Sequence, residues 1–331
     1  MPKAIRFHEL GGPEKLKIEE ISPRSPGNGE VKLRVKAVGL NRAEALYVRG
    51  QYLEETSPPS GIGYEAAGIV EAVGADVDPS LAGKNVATVP GFSMGRYAVL
   101  GEEAIVPANV LGEYPPKLSY IEAAAIWMQY MTAYGALVHF GHLSDGDFVV
   151  IPAASSSVGL AAIQMTRAEG ATAIAVTRRS AKREELLSLG AHHVVASEEE
   201  DLVQRIREIT AGKGARLTFD PVAGPMVEKL AEASAQQGII FEYGGLSMQP
   251  TPFPLWLALR KGLTVRGYTL HEITRDPKLL AEAKRYIYER LADGRFEPKI
   301  AKVFPFEQTV EAYRYLESNA QVGKVVISLE N

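Results

Sequence analysis

The sequence predicts a mixed α/β protein in which a β-rich domain is interrupted by an inserted domain of alternating strands and helices. Three observations carry this. Up to about residue 120 the chain reads as short apolar or alternating runs separated by turn-rich stretches such as Gly11-Gly12-Pro13 and Ser25-Pro26-Gly27-Asn28-Gly29. From Asp147 short apolar strands alternate with helical segments, the mark of a parallel sheet covered on both faces. The closing stretch returns to the first texture. A chain of 331 residues suits two domains, placed at 1–122 with 270–331 and at 123–269.

In the first region, strands are expected at 4–7, 16–21, 30–40, 66–73, 85–89 and 96–100, with a helix over 42–49 capped by Asn41. The Ala-rich segment 121–139 reads as one long helix. Beyond it, strands at 148–151, 173–176, 193–195, 217–219, 239–243 and 264–267 are interleaved with helices such as 158–169 and 182–189. A helix over 277–293 and a strand over 324–329 complete the chain.

Composition removes several function classes. The chain has no cysteine, so disulfides, thiolate catalysis and cysteine-held metals are excluded. A net charge of -4 lacks the basic excess that nucleic-acid binding needs. No segment approaches ~20 uninterrupted apolar residues, and the start lacks the pattern of a secretory signal. A cytoplasmic location is expected.

The run Asp147-Phe148-Val149-Val150-Ile151-Pro152-Ala153-Ala154-Ser155-Ser156-Ser157-Val158-Gly159 joins a buried strand to a helix through small residues. Small side chains let backbone approach a pyrophosphate, and the helix N-terminus offers N–H groups and a positive dipole end. A glycine-rich fingerprint would read G-x-G-x-x-G. Here it is reduced to Ala154-x-Ser156-x-x-Gly159, so a serine-capped turn of any α/β protein is an equal reading. The next strand adds information. It ends in Thr177-Arg178-Arg179-Ser180-Ala181-Lys182-Arg183, with no acid where an NAD site places one. Exposed cations in a first helical turn oppose the dipole by about 0.3–1 kcal/mol each. A ribose 2′-phosphate would offset that, which favours NADPH over NADH; a solvated helix start is the plainer alternative.

Taken in order, several pieces resemble the medium-chain dehydrogenase/reductase superfamily, in its zinc-free quinone oxidoreductase and enoyl reductase branch. They are Gly39-Leu40-Asn41-Arg42-Ala43-Glu44, Arg49-Gly50-Gln51-Tyr52, Gly61-Ile62-Gly63-Tyr64-Glu65-Ala66-Ala67-Gly68, Met131-Thr132-Ala133-Tyr134, Asp220-Pro221-Val222-Ala223-Gly224 and Gly323-Lys324-Val325-Val326. The resemblance spans essentially the whole chain. It implies a discontinuous GroES-like catalytic domain and a Rossmann dinucleotide-binding domain. It also implies a nicotinamide between them, near Asn41 and Thr132. Ser155, Ser156, Ser157 and Val158 would meet the pyrophosphate. Thr177, Arg178, Arg179 and Lys182 would surround the 2′-phosphate. Gly244, Gly245 and Leu246, then Tyr268, Thr269 and Leu270, would run along the cofactor, with Lys324 as a further contact.

In zinc-containing relatives a Cys near Asn41 and a His beside Glu65 hold the metal; here Asn41 and Tyr64 stand there. The six histidines do not assemble a substitute. His192 and His193 are adjacent and would point to opposite faces of an extended segment. The expected chemistry is therefore metal-free hydride reduction of a small quinone or α,β-unsaturated carbonyl, whose conjugation spreads the arriving charge. Tyr52, Asn41 and Tyr64 are the candidate catalytic residues, Tyr52 as proton donor or oxyanion partner, with Tyr47 a second phenol nearby. Most of the chain's 14 tyrosines serve packing, and Asn41 also reads as a helix cap. A 2-enoyl thioester reductase and an NADPH-binding redox sensor are the alternatives. A homodimer joined edge to edge through residues 263–268 completes the expectation.

Overall fold

The computed structural model describes residues 1–330. It separates into two compact units. One comprises Met1–Met128, Pro277–Ala292 and the chain from Glu297; the other comprises Gln129–Asp276 and Asp293–Phe296.

The first unit is β-rich. Its main sheet runs in the order Ile300–Pro305, Lys324–Ser328, Glu30–Gly39, Glu65–Val73, Asn85–Thr88, Leu111–Gly112, and Glu103–Pro107 also pairs with Glu30–Gly39. A small antiparallel sheet of Lys17–Glu20, Lys3–Phe7 and Ser60–Gly61 lies in the same unit. Alternation explains the long strand: Val31, Leu33 and Val35 are buried while Lys32 and Arg34 are not. Gly39 is required at its end, since a Cβ there would stand 1.9 Å from the Ala124 carbonyl oxygen.

The expected strand 96–100 is a correction. Its Val99 and Leu100 N–H groups do go to Gly63 and Ile62 carbonyls. The preceding turn, however, is organised by a side chain, because the Glu54 carboxylate accepts from Met94 and Gly95 N–H. The strand lies further on, at Glu103–Pro107. The long helix expected over 121–139 is also divided, into Tyr120–Ala123, Trp127–Ala133 and a wider π-helical turn at Tyr134–Phe140.

The second unit holds six parallel strands in the order His193–Ala196, Thr172–Thr177, Phe148–Ile151, Ala215–Asp220, Ser234–Glu242, Thr264–Gly267. The chain builds outward from Phe148–Ile151 in one direction and then from Ala215–Asp220 in the other. The loops leaving those two central strands therefore diverge, which is where open α/β sheets bind ligands. Val150, Ile174, Val176 and Ile240 pack beneath Ile206 and Leu230 of the covering helices.

Candidate functional site

In the second unit the loop after Phe148–Ile151 turns at Ala153, whose φ of 49° lies in the left-handed region. The Ala154 N–H reaches the Val176 carbonyl at 3.2 Å, tying the turn to the neighbouring strand. Ser156 caps the helix Ser157–Ala168, its hydroxyl accepting the Gly159 N–H at 3.0 Å. Ser157 and Val158 then head the helix at its positive end. A Cβ on Gly159 would lie 2.7 Å from Ala154 Cα, so glycine is what allows the helix to press against the turn. The helix thus packs closely on a turn built of alanine and serine around a single glycine.

The neighbouring strand Thr172–Thr177 delivers the cations. The Lys182 ammonium donates to the Ser155 hydroxyl at 3.1 Å, bringing the second loop onto the first. Burial, then the charge of Arg178, holds Lys182 below its ordinary range. Arg178 is exposed and takes part in no ion pair among the described residues. Arg179 and Arg183 differ, because Glu198 and Glu200 engage them. Of the cations in this loop, Arg179 and Arg183 are thus engaged by carboxylates, while Lys182 lies against the Ser155 turn. Thr177 is half-buried, its carbonyl accepting from Ser197 N–H at 2.8 Å.

Across the switch point, the loop after Ala215–Asp220 and the loop after Ser234–Glu242 run together. Leu246 N–H donates to the Pro221 carbonyl at 2.9 Å and Ser247 N–H to that of Val222 at 3.0 Å. Gly244, Gly245 and Leu246 are exposed on this rim. Tyr268 is buried, its phenol beside Gly135, where a Cβ would come within 2.0 Å. Thr269 is half-buried, and Leu270 and Thr132 are buried.

In the first unit, Asn41, Tyr64 and Lys324 meet in one buried cluster. The Lys324 ammonium, with its side chain fully buried, donates to Glu65 Oε2 at 2.5 Å and Asn41 Oδ1 at 2.7 Å. It presents no surface to a ligand in this conformation, its ammonium being taken up by Glu65 and Asn41. The Nδ2 hydrogens of Asn41 go to the Gly39 carbonyl and to Glu44 Oε1. Glu44 also accepts from Asn41 N–H, Tyr64 N–H and the Tyr313 hydroxyl. Burial pushes the Glu44 carboxyl up, against those donors.

Tyr64 is buried and donates through its hydroxyl to Glu54 at 3.1 Å. Tyr52 rests against its ring at 6.2 Å between centroids, while Tyr47 is bonded to Ser60. Burial raises the phenols of Tyr52 and Tyr64 above the usual range, so both stay protonated and able to donate at neutral pH. Glu54 escaped the sequence reading because it lies in an irregular loop with no period to place it. Glu242 had a visible signal, an acid directly after the apolar run Ile239-Ile240-Phe241 at the end of its strand. Among the described residues no three His, Cys, Asp or Glu side chains gather as a metal site would require.

Two family models match the chain: an alcohol dehydrogenase GroES-like domain over residues 27–139 and a zinc-binding dehydrogenase domain over 157–285. The chain is 31% identical to quinone oxidoreductase 1 of Escherichia coli over 330 residues, covering 99% of both. It is 28% identical to a 2-haloacrylate reductase of a Burkholderia species over 334 residues, again covering 99% of both. The crystal structure of Escherichia coli quinone oxidoreductase complexed with NADPH superposes with a TM-score of 0.90 at 30% identity, over 98% of this chain and 99% of that one.

Proposed function

The chain belongs to the medium-chain dehydrogenase/reductase superfamily, with the quinone oxidoreductases and enoyl reductases, and we propose on that footing that it is an NADPH-dependent, zinc-independent reductase of quinones and α,β-unsaturated carbonyl compounds. The observation that carries the cofactor assignment is the pair Arg178 and Lys182 beside Ser155, in a loop that lacks the acid of an NAD site. Ser155, Ser156, Ser157 and Val158 hold the pyrophosphate at the helix N-terminus. Thr177, Arg178 and Lys182 hold the 2′-phosphate, with Arg179 at its edge. Gly244, Gly245 and Leu246 border the cofactor, as do Thr132, Tyr268, Thr269 and Leu270.

Bound NADPH supplies a hydride. The chain's own task is to position the acceptor and to place donors where negative charge develops on its oxygen. Tyr52 is the donor we assign: its phenol is kept neutral by burial, and Tyr64, anchored on Glu54, supports its ring. Asn41, held by Lys324 and Glu44, shapes the wall. Two members of this set are cofactor or substrate neighbours by family resemblance and sit buried here, namely Thr132 and Tyr64. With no cysteine in the chain, the zinc ligand of metal-dependent relatives has no counterpart.

The function is tested by following NADPH oxidation with panels of quinones, enones and 2-enoyl thioesters, with and without a chelator. Turnover with quinones or enones that survives chelation is expected. Turnover confined to thioesters would move the assignment to enoyl reduction, and none at all would leave a cofactor-binding sensor. Tyr52→Phe is expected to lower kcat by about 10²–10⁴-fold, the worth of one positioned proton donor, with NADPH affinity within about twofold. An unchanged kcat removes Tyr52 as the donor.

We also propose a cytoplasmic homodimer. Thr264–Gly267 ends the parallel sheet with one neighbour only, and exposed apolar side chains lie close to it in sequence: Met248, Phe253, Trp256 and Leu259 are each at least 60% exposed. A second copy joined across that edge would cover both. Trp256→Arg with Leu259→Glu is expected to halve the mass seen by analytical ultracentrifugation. A parent chain that sediments as a monomer overturns this.

A further inference from the structure

Asp220 and Glu242 end two adjacent parallel strands and lie directly opposite each other in the register. Their side chains therefore project from the same face of the sheet. Asp220 is fully buried and its oxygens accept the N–H groups of Val222 at 2.7 Å and Ala223 at 3.0 Å. Both carboxyl oxygens of Glu242 are buried, and no N–H or O–H donor among the described residues reaches them. Gly267 stands opposite Glu242 on the next strand and brings no side chain.

No cation among the described residues offsets the pair. On the edge strand, Arg266 engages Glu272 and the face of the Phe140 ring. The Tyr268 phenol lies near the Met131 carbonyl. Tyr243 stacks on Phe219, and its phenol is kept protonated by burial and the charge of Asp220. On the helix Met226–Ala233, Glu228 and Lys229 are exposed. On Leu255–Lys261, Arg260 is exposed and the Lys261 ammonium donates to the carbonyls of Ala231, Glu232 and Ser234.

Two carboxylates cannot both ionise in such a place without repelling one another, whereas one proton between them supplies the missing donor. We infer that Asp220 and Glu242 share a single proton and that this proton fastens the loops 221–224 and 243–247 to one another, making the two acids positioning residues for the site those loops border. The bonds it protects are Tyr243 N–H to Asp220 O, Leu246 N–H to Pro221 O and Ser247 N–H to Val222 O. Its effect on a cofactor rests on the reading of this rim as the NADPH site; its effect on the loops does not. Burial, reinforced by the charge of Asp220, pushes the Glu242 carboxyl up to about 8, and burial raises Asp220 as well. The raised carboxyl carries no penalty below the ordinary carboxylate range. Stability is lost as pH climbs from there to about 8, because the unfolded chain releases a proton that the folded pair retains.

Glu242→Gln is the test, since it keeps the shape, supplies an amide donor and removes the titration. Three quantities are compared with the parent from pH 5 to 9: the melting temperature without cofactor, the hydrogen-exchange protection of the Leu246 and Ser247 amides, and the dissociation constant for NADPH. Relative to the variant, the parent is expected to lose melting temperature across this range. Its protection at both amides should fall about tenfold between pH 7 and 9, as one ionisation with its midpoint near 8 requires, and the dissociation constant should rise by a similar factor. A melting difference independent of pH overturns the shared proton, and unchanged amide protection overturns the fastening. If NADPH fails to bind either protein at any pH, the cofactor reading falls while the first two measurements still decide the inference. Asp220→Asn serves as a second variant should Glu242→Gln not fold.

Discussion

Replacing Arg178 and Lys182 together by glutamate is expected to weaken NADPH binding by about 10²–10⁴-fold while leaving NADH within about threefold. Each charge-assisted hydrogen bond to phosphate is worth about 1.5–3 kcal/mol, and every 1.4 kcal/mol is a factor of ten. Two such bonds lost, with repulsion added, give that range. In the folded protein burial lowers the affinity of Lys182 for its proton, and the charge of Arg178 lowers it further. An anion beside them supplies the opposite charge that offsets this lowering. NADPH binding should therefore raise the pKa of Lys182 and be accompanied by proton uptake above neutral pH, an uptake that NADH does not cause. Isothermal titration in buffers of different ionisation enthalpy measures it. Equal losses for both cofactors would remove Arg178 and Lys182 from the 2′-phosphate site. Arg179→Glu is expected to do much less, since that side chain is exposed and already faces Glu198.

The largest loss of stability is expected from Lys324→Met. It strands the Glu65 carboxylate in the interior of the first unit, where both side chains of the ion pair are fully buried, and it takes the donor from Asn41 Oδ1. Breaking a buried pair by removing one partner costs about 3–5 kcal/mol, and in a unit of this size each kcal/mol moves the melting temperature by roughly 2–4 °C. A fall on the order of 10 °C follows, read by calorimetry. Adding Glu65→Gln should recover most of it, because the stranded charge is then gone, although Glu65 Oε1 also accepts the Met128 N–H at 3.0 Å. Melting within about 2 °C of the parent would mean that water reaches the pair. NADPH affinity should change little in the variant that still folds, as the ammonium has no accessible surface. A tenfold weakening would return Lys324 to the cofactor site.

The turn at 153–159 was ambiguous in the sequence because its glycines are missing. In the folded chain Ala153 adopts a positive φ and Gly159 packs on Ala154, while Ser156 caps the helix, a geometry that both readings share. The alternation of strands and helices from Asp147 was legible because its signal is local, an apolar run of strand length followed by a helical period. The helix over 121–139 was misread for the same reason. Its composition favours helix throughout, while the interruption after Ala123 falls where the Ala124 carbonyl lies against Gly39, and the widening to a π-helical turn after Ala133 falls where the Tyr268 phenol lies against Gly135.

What the chain's order of residues determined alone is the two-texture organisation, the parallel sheet, the basic loop after its second strand and the absence of cysteine chemistry. Each is a matter of neighbours in sequence. Only the tertiary structure decided which groups lie beside Asn41, Lys324, Asp220 and Glu242. Lys324 and Asn41 are 283 positions apart and Asp220 faces Glu242 from another strand. A charged side chain acquires its protonation state and partners from what burial places beside it, and that neighbourhood exists only once distant segments have packed.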